Sequence, residues 1–177
     1  MLDVVLDLFA EDALFPTIEQ VAHRSGISPR SLYRYFVDAG ELLEAAIARG
    51  RAATAAASHL PAIGQGPLEQ RIEDFVAMRV GLYEQFGARY RATVANAPHH
   101  PRIAEELARS EGEMRGQFEA QFADVLDRCP PSERVSVGAA GDLITQIGGI
   151  AYLRREGGLS GADTRRALVV SLTRLFG

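Results

Sequence analysis

Lysine is absent from this chain of 177 residues, and all 19 basic positions are arginine. Such one-sided usage reads as compositional bias and not as a device. A single cysteine, Cys129, excludes an internal disulfide and offers no zinc site by itself. The longest apolar stretch, Val137 to Leu153, is interrupted by Asp142 and Gln146 and does not read as a membrane span. No secretory signal is legible in Leu2-Asp3-Val4-Val5, where an acid breaks the apolar run. A soluble, cytoplasmic protein without a membrane partner is expected. Enzyme signatures are missing too: there is no nucleophile-elbow serine, no phosphate-cradling glycine loop after a strand, and no cluster of metal ligands. His99 and His100, between Pro98 and Pro101, lack companion ligands at metal spacing and read as helix termination or the rim of a pocket. The expectation is a non-enzyme with no metal and no cofactor.

What is present is ordinary globular material, 47% hydrophobic and 24% charged, in a chain long enough to bury a core. The net charge of −4 is unevenly placed. Residues 1–50 hold eight acids against four arginines, whereas residues 51–177 carry fifteen of each sign. Helical periodicity dominates throughout. A first helix runs from Leu2 to near Ala13, and two short helices occupy Thr17–Phe36. A fourth, capped by Asp38 and rich in alanine, extends to about His59. Pro61 to Pro67, with Gly64 and Gly66, reads as the linker. Beyond it the pattern predicts helices over 69–86, 88–97 after a break at Gly87, 102–128, 132–156 and 162–176. No credible strand, repeat or low-complexity tract appears. The predicted fold class is all-α.

The most informative segment is Thr17–Phe36. Thr17 is placed to cap a helix whose Ile18, Val21 and Ala22 share one face. Gly26 stands where that helix must end in a left-handed turn, and Ile27 plugs the corner. Ser28 and Pro29 restart the chain as N-cap and first helical residue, and Leu32 and Phe36 point back to the core. Arg30, Ser31, Tyr33, Arg34 and Tyr35 are left largely off the buried side. The second helix of such a pair can lie in the DNA major groove, and hydroxyls and guanidiniums there suit phosphate oxygens and base edges. An acidic N-terminal stretch supplies no diffuse positive field, so these arginines would have to act locally.

Leu8-Phe9-Ala10, Thr17 to Ala22, Ser25-Gly26-Ile27-Ser28, Leu32-Tyr33-Arg34-Tyr35-Phe36 and Glu41-Leu42-Leu43 together resemble the tetracycline-repressor (TetR) family of bacterial transcription regulators. The likeness covers about the first fifty residues; the remainder agrees only in helix number, length and order. It implies an N-terminal helix-turn-helix domain over 1–47, joined by a connecting helix to a helical ligand-binding and dimerisation domain over 48–177. It further implies that Arg30, Ser31 and Arg34 face base edges or nearby phosphates, with Thr17, Ser28, Tyr33 and Tyr35 as backbone anchors. The implied partners are double-stranded operator DNA, a small-molecule effector and a second copy of the chain. Two features depart from the family pattern. Ala39, followed by Gly40, occupies the position where a lysine usually meets a phosphate, and the usual basic stretch ahead of the first helix is not seen. The implied activity is that of a repressor released by a small, largely apolar ligand. A competing expectation is a degenerate relative that binds small molecules and has lost useful DNA affinity.

For the ligand, Phe75, Met78, Tyr83, Phe86 and Tyr90 on the middle helices are candidate walls. Met114, Phe118, Phe122 and Tyr152 extend the set, and Arg79 and Gln146 are the candidate orienting polar groups. Any one of the wall residues taken alone is better explained by core packing, and Arg79 or Gln146 alone can be a snorkelling or hydrogen-bonded structural residue. For the dimer, the glycine-rich 132–156 segment, including Gly141 and Gly148, invites close helix packing. With Leu168, Val169, Leu172, Leu175 and Phe176 it would build a two-fold four-helix interface, unless those faces are buried within one protomer.

Overall fold

The computed structural model describes residues 1–12 and 14–177. Among these the regular structure is entirely helical. The helices are α1 (Leu2–Asp12), α2 (Ile18–Ser25), α3 (Pro29–Tyr35), α4 (Ala39–Ala57) and α5 (Leu68–Asn96), followed by α6 (Pro101–Gln121), α7 (Ala123–Arg128), α8 (Pro131–Thr145), α9 (Ile147–Arg155) and α10 (Gly161–Phe176). A 3-10 turn, Ala97–His99, precedes α6. The expected end of the first helix near Ala13 falls outside the described residues. No helix among the described residues is long and apolar enough to cross a membrane.

The chain forms two compact units. The first comprises Met1–Ala56 and Ala88–Ala108, the second Ala57–Gly87 and Arg109–Gly177. In the first unit Val5, Leu8, Val21, Leu32, Phe36 and Leu42 form a common core, and Phe9, Ala92 and Ile103 form a smaller cluster. Two bidentate pairs, Arg49 with Asp3 and Arg102 with Glu44, tie α4 to α1 and to the start of α6. Both are exposed and add little stability, although they fix side-chain geometry.

Three helix boundaries differ from the periodicity reading, each for a physical reason. Gly87 does not break α5: the Tyr83 ring lies so close that an added Cβ would stand 3.0 Å from its Cε2 atom. The expected 102–128 helix breaks at Phe122, which leaves helical geometry with φ −119° and ψ 19°. The buried Arg71 guanidinium donates to the Gln121 carbonyl at 2.8 Å and to both Asp124 oxygens, stapling the break. That hydrogen bond holds the Asp124 carboxyl below the usual carboxylate range. The expected 132–156 helix breaks at Gln146, whose ψ is 152°. The Thr145 hydroxyl donates to the Gly141 and Asp142 carbonyls, and Gly149 fits against the Leu143 carbonyl where a Cβ would come within 2.4 Å.

The second unit is organised around aromatic rings. Phe75, Phe118 and Phe122 are fully buried with centroids 5.1–5.8 Å apart in tilted or edge contacts, and Phe176 stacks 4.9 Å from Phe122. Ile72, Val76, Ile150, Leu168 and Leu172 complete the core. Gly141 on α8 lets the helix approach Phe118, because a Cβ there would sit 2.4 Å from the ring. Gly141→Ala should therefore destabilise the protein by about 1–3 kcal/mol through overpacking. Gly116→Ala is the contrast: its Cβ would meet nothing within 4 Å, and helix propensity should add up to about 1 kcal/mol. Urea unfolding of both variants checks the pair; equal effects would contradict the packing account.

Candidate functional site

The geometry of Thr17–Phe36 follows from local hydrogen bonds. Thr17 Oγ1 accepts from the Gln20 amide at 3.2 Å while Gln20 Oε1 accepts from the Thr17 amide at 2.8 Å, a reciprocal capping box. Gly26 closes α2 in the left-handed region with φ 70°. Ser28 Oγ then accepts from the Ser31 amide, and Pro29 fills the first turn of α3, where its missing N–H costs nothing. Leu32 and Phe36 anchor α3 to the core at 1% and 9% exposure. Asp38 Oδ1 accepts from the Glu41 amide at 2.9 Å and starts α4.

This anchoring leaves one face of α3 open. Tyr33 and Tyr35 are 52% and 59% exposed, and Arg30 and Arg34 also face solvent. Ser31 is half-buried, its hydroxyl engaged with that of Ser28 at 2.9 Å. Arg34 donates to the Tyr35 hydroxyl at 3.3 Å and lies 5.2 Å from that ring, so two groups share one patch. Among the described residues neither α3 arginine is paired with a carboxylate. Arg24 on α2 differs: Glu11 accepts its guanidinium at 2.7 Å and neutralises it. The concentrated positive charge is thus that of Arg30 and Arg34, with phenol hydroxyls beside it. Every residue expected to touch nucleic acid, Thr17, Ser28, Pro29, Arg30, Ser31, Tyr33, Arg34 and Tyr35, is exposed or half-buried and lies at the surface.

The expected ligand residues separate into four groups. Phe75, Phe118 and Phe122 are core, packed ring against ring. Tyr152 is 65% exposed on α9, and Tyr90 belongs to the first unit. Met78, Tyr83 and Phe86 are half-buried on α5. Arg79 and Met114 are buried, and Gln146 is half-buried. Gln146 is bonded to a residue not among the expected site residues, Asp142 on α8, whose charge also acts through space on Arg79. Gln146 Nε2 donates to Asp142 Oδ1 at 2.7 Å and to the Glu111 carbonyl at 3.2 Å, and Arg115 Nε reaches Asp142 Oδ2 at 3.4 Å. Arg79, 1% exposed, donates Nη2 to the Met114 carbonyl at 2.7 Å and lies 4.6 Å from the Phe75 ring. Burial pushes its pKa down to about 10, opposed by the Asp142 charge, so it stays cationic at neutral pH. An acid on an otherwise apolar helical segment was the available signal for Asp142.

Of the residues expected at a dimer interface, Leu168 and Leu172 point into the protomer's own core, and Gly141 meets Phe118 and Leu175 of the same chain. Val169, Leu175 and Phe176 are partly buried against that core, and Gly148 is half-buried. The exposed apolar side chains of this region are instead Val135 and Leu143 on α8, Tyr152 on α9 and Val170 on α10. Inward packing won at the leucines because α10 closes the aromatic cluster. His99 and His100 are exposed beside the 3-10 turn, and the His100 carbonyl accepts from the first amides of α6. Among the described residues no group of three or more His, Cys, Asp or Glu side chains could hold a metal ion.

No protein-family model matches the chain, and neither a curated protein nor a solved structure matches it.

The presentation of α3 depends on the turn before it. Gly26→Ala places a side chain at φ 70° with no neighbour to clash, so its cost is purely conformational, about 1–2 kcal/mol. Denaturant unfolding followed by circular dichroism measures it. A change below a few tenths of a kcal/mol would show that the turn carries no such constraint.

Proposed function

We propose that the chain is a TetR-type transcription regulator, a repressor that binds double-stranded operator DNA as a homodimer. The observation that carries this reading is the open face of α3. A seven-residue helix capped at its start and pinned by a buried leucine presents two unpaired arginines and two exposed tyrosines to solvent. Tyrosine rings cost free energy in water, and a rigid platform of guanidinium and phenol groups matches phosphate oxygens and base edges. In a dimer, two such helices would enter successive major grooves about 34–36 Å apart. Release follows when a small, largely apolar effector binds the second unit more tightly in a state whose helix spacing does not fit, since only differential affinity shifts such an equilibrium. The exposed Val135, Leu143, Tyr152 and Val170 support the second copy, because apolar side chains on consecutive helices are an unfavourable surface for a lone protomer. No catalytic role is assigned.

A second reading draws on one observation. Arg24 is neutralised by Glu11, and Ala39 at the start of α4 offers no cation, so the positive charge near the turn is small. Under that reading the chain is a helical small-molecule-binding protein with weak or no DNA affinity.

A mobility-shift titration with the DNA upstream of the protein's own coding sequence decides between them. Arg30→Ala and Arg34→Ala should each weaken binding by about 1–3 kcal/mol with the fold intact. Binding that survives both substitutions would remove α3 as the recognition element, and no binding by the unaltered protein would favour the second reading. With two α3 arginines per protomer, the slope of log affinity on log salt should be about −4 or shallower. A much steeper slope would mean that other cations meet phosphate. In light scattering, Leu143→Glu should convert a dimer to a monomer; a monomeric unaltered protein at micromolar concentration would overturn the dimer.

A further inference from the structure

Arg79 is the most anomalous side chain in the molecule. It is the largest fully buried residue, yet its Nε and Nη1 atoms have no hydrogen-bond partner. Leaving buried N–H donors of a charged group unmet is costly, and native structures avoid it unless something else satisfies them. The nearest counter-charge does not do so. Asp142 acts on Arg79 through space, while its own oxygens take Gln146 and Arg115. Arg115 is 60% exposed and keeps its charge in solvent, so what the interior lacks is not counter-charge but acceptors for two Arg79 N–H groups.

Arg71 on the same helix shows how the chain treats a buried guanidinium that is purely structural. Its two terminal nitrogens are taken up by the Gln121 carbonyl and the Asp124 carboxylate, and only its Nε lacks a partner. Arg79 has no acid bonded to its fork, and Asp142 acts on it only through space. Around it stand the Phe75 ring and Met114, with Met78 and Tyr83 on the same helix. Gln146 cannot serve an incoming anion as well, since its amide nitrogen already donates twice.

We propose that Arg79 is the anion-recognising group of the effector site and that the effector is a small organic acid, a single carboxylate on an apolar body. A carboxylate offers acceptor oxygens matched to a guanidinium fork. A phosphate dianion would bring twice the charge and require donors that the surrounding rings and thioether do not supply. The assignment rests on reading the second unit as an effector-binding unit.

Calorimetric titration of the full-length protein with butyrate, octanoate, benzoate and phenylacetate, each beside its primary amide, tests it. At least one acid should bind at least about tenfold more tightly than its amide, and Arg79→Met should abolish that preference. Methionine is a near-isosteric apolar replacement, and exchange of a buried charge for such a residue is commonly tolerated. Arg79→Gln, which keeps polarity without charge, supplies a second folded variant, and it should lose the preference too. Equal binding of acid and amide, a preference that survives both substitutions, or no binding by any acid would overturn the proposal. Promoter binding is measured in the same samples. Acid binding through Arg79 by a protein that binds no promoter DNA would sink the regulator reading and leave the carboxylate site standing. Promoter binding by a protein that takes up none of the acids would do the reverse.

Discussion

A helix that ends inside a folded protein must satisfy the amides or carbonyls that its last turns release. That constraint shapes both units. In the first, the ends are met by side chains a few residues away: Thr17 with Gln20, Ser28 with Ser31, Asp38 with Glu41. Three caps in succession hold α3 to one orientation within its unit. In the second unit, the carbonyl freed at Gln121 is met by Arg71, fifty positions earlier in the chain. The break at Gln146 is met by the Thr145 hydroxyl, which turns back onto the preceding turn of its own helix. Where helices stop decides where the aromatic core closes, and thus which side chains stay outside.

The same distinction explains what could be read from the sequence. The all-helical class and the α2–turn–α3 element are legible because caps, a left-handed glycine and an alternation of buried and open positions are local signals. The breaks at Phe122 and Gln146 are not legible. Phe122 continues an unbroken apolar stripe, and the guanidinium that rewards leaving the helix there lies far away in sequence. Gly87 misleads in the opposite direction: glycine lowers helix propensity by about 1 kcal/mol, and the burial of a 29-residue helix outweighs it easily. Leu168 and Leu172 share one face of α10, but their spacing cannot say whether that face meets its own chain or another. The aromatic cluster of Phe75, Phe118 and Phe122 settles it in favour of the protomer core.

Charge is managed differently at three places, and the differences are informative. Arg24, Arg49 and Arg102 are matched to acids at the surface, where pairing contributes little to stability but removes free positive charge. Arg30 and Arg34 are left without carboxylates on a helix that also exposes two tyrosines. An unmatched surface arginine is common and proves little alone. Coincidence with a rigid, capped, aromatic-bearing helix is what gives it weight, because flexible surface charge needs no such support.

Arg79 inverts this reasoning. At the surface, water satisfies an unpaired guanidinium at negligible cost, so its presence needs no explanation. In the interior an unmatched N–H is a standing free-energy deficit; Arg71 carries one, at Nε, whereas Arg79 carries two on a single guanidinium. Methionine or leucine at that position would extend the cluster of Phe75 and Met114 without penalty. A cation in their place is held at one atom by the Met114 carbonyl and lacks acceptors at two others, with Asp142 acting on it only through space. It is oriented, but its fork is not completed. An acid bonded to that fork would stabilise the protein alone and leave nothing for an arriving anion to gain. On the proposed reading, this deficit would supply differential affinity, since an effector that completed the fork would stabilise whichever conformation keeps Arg79 in place.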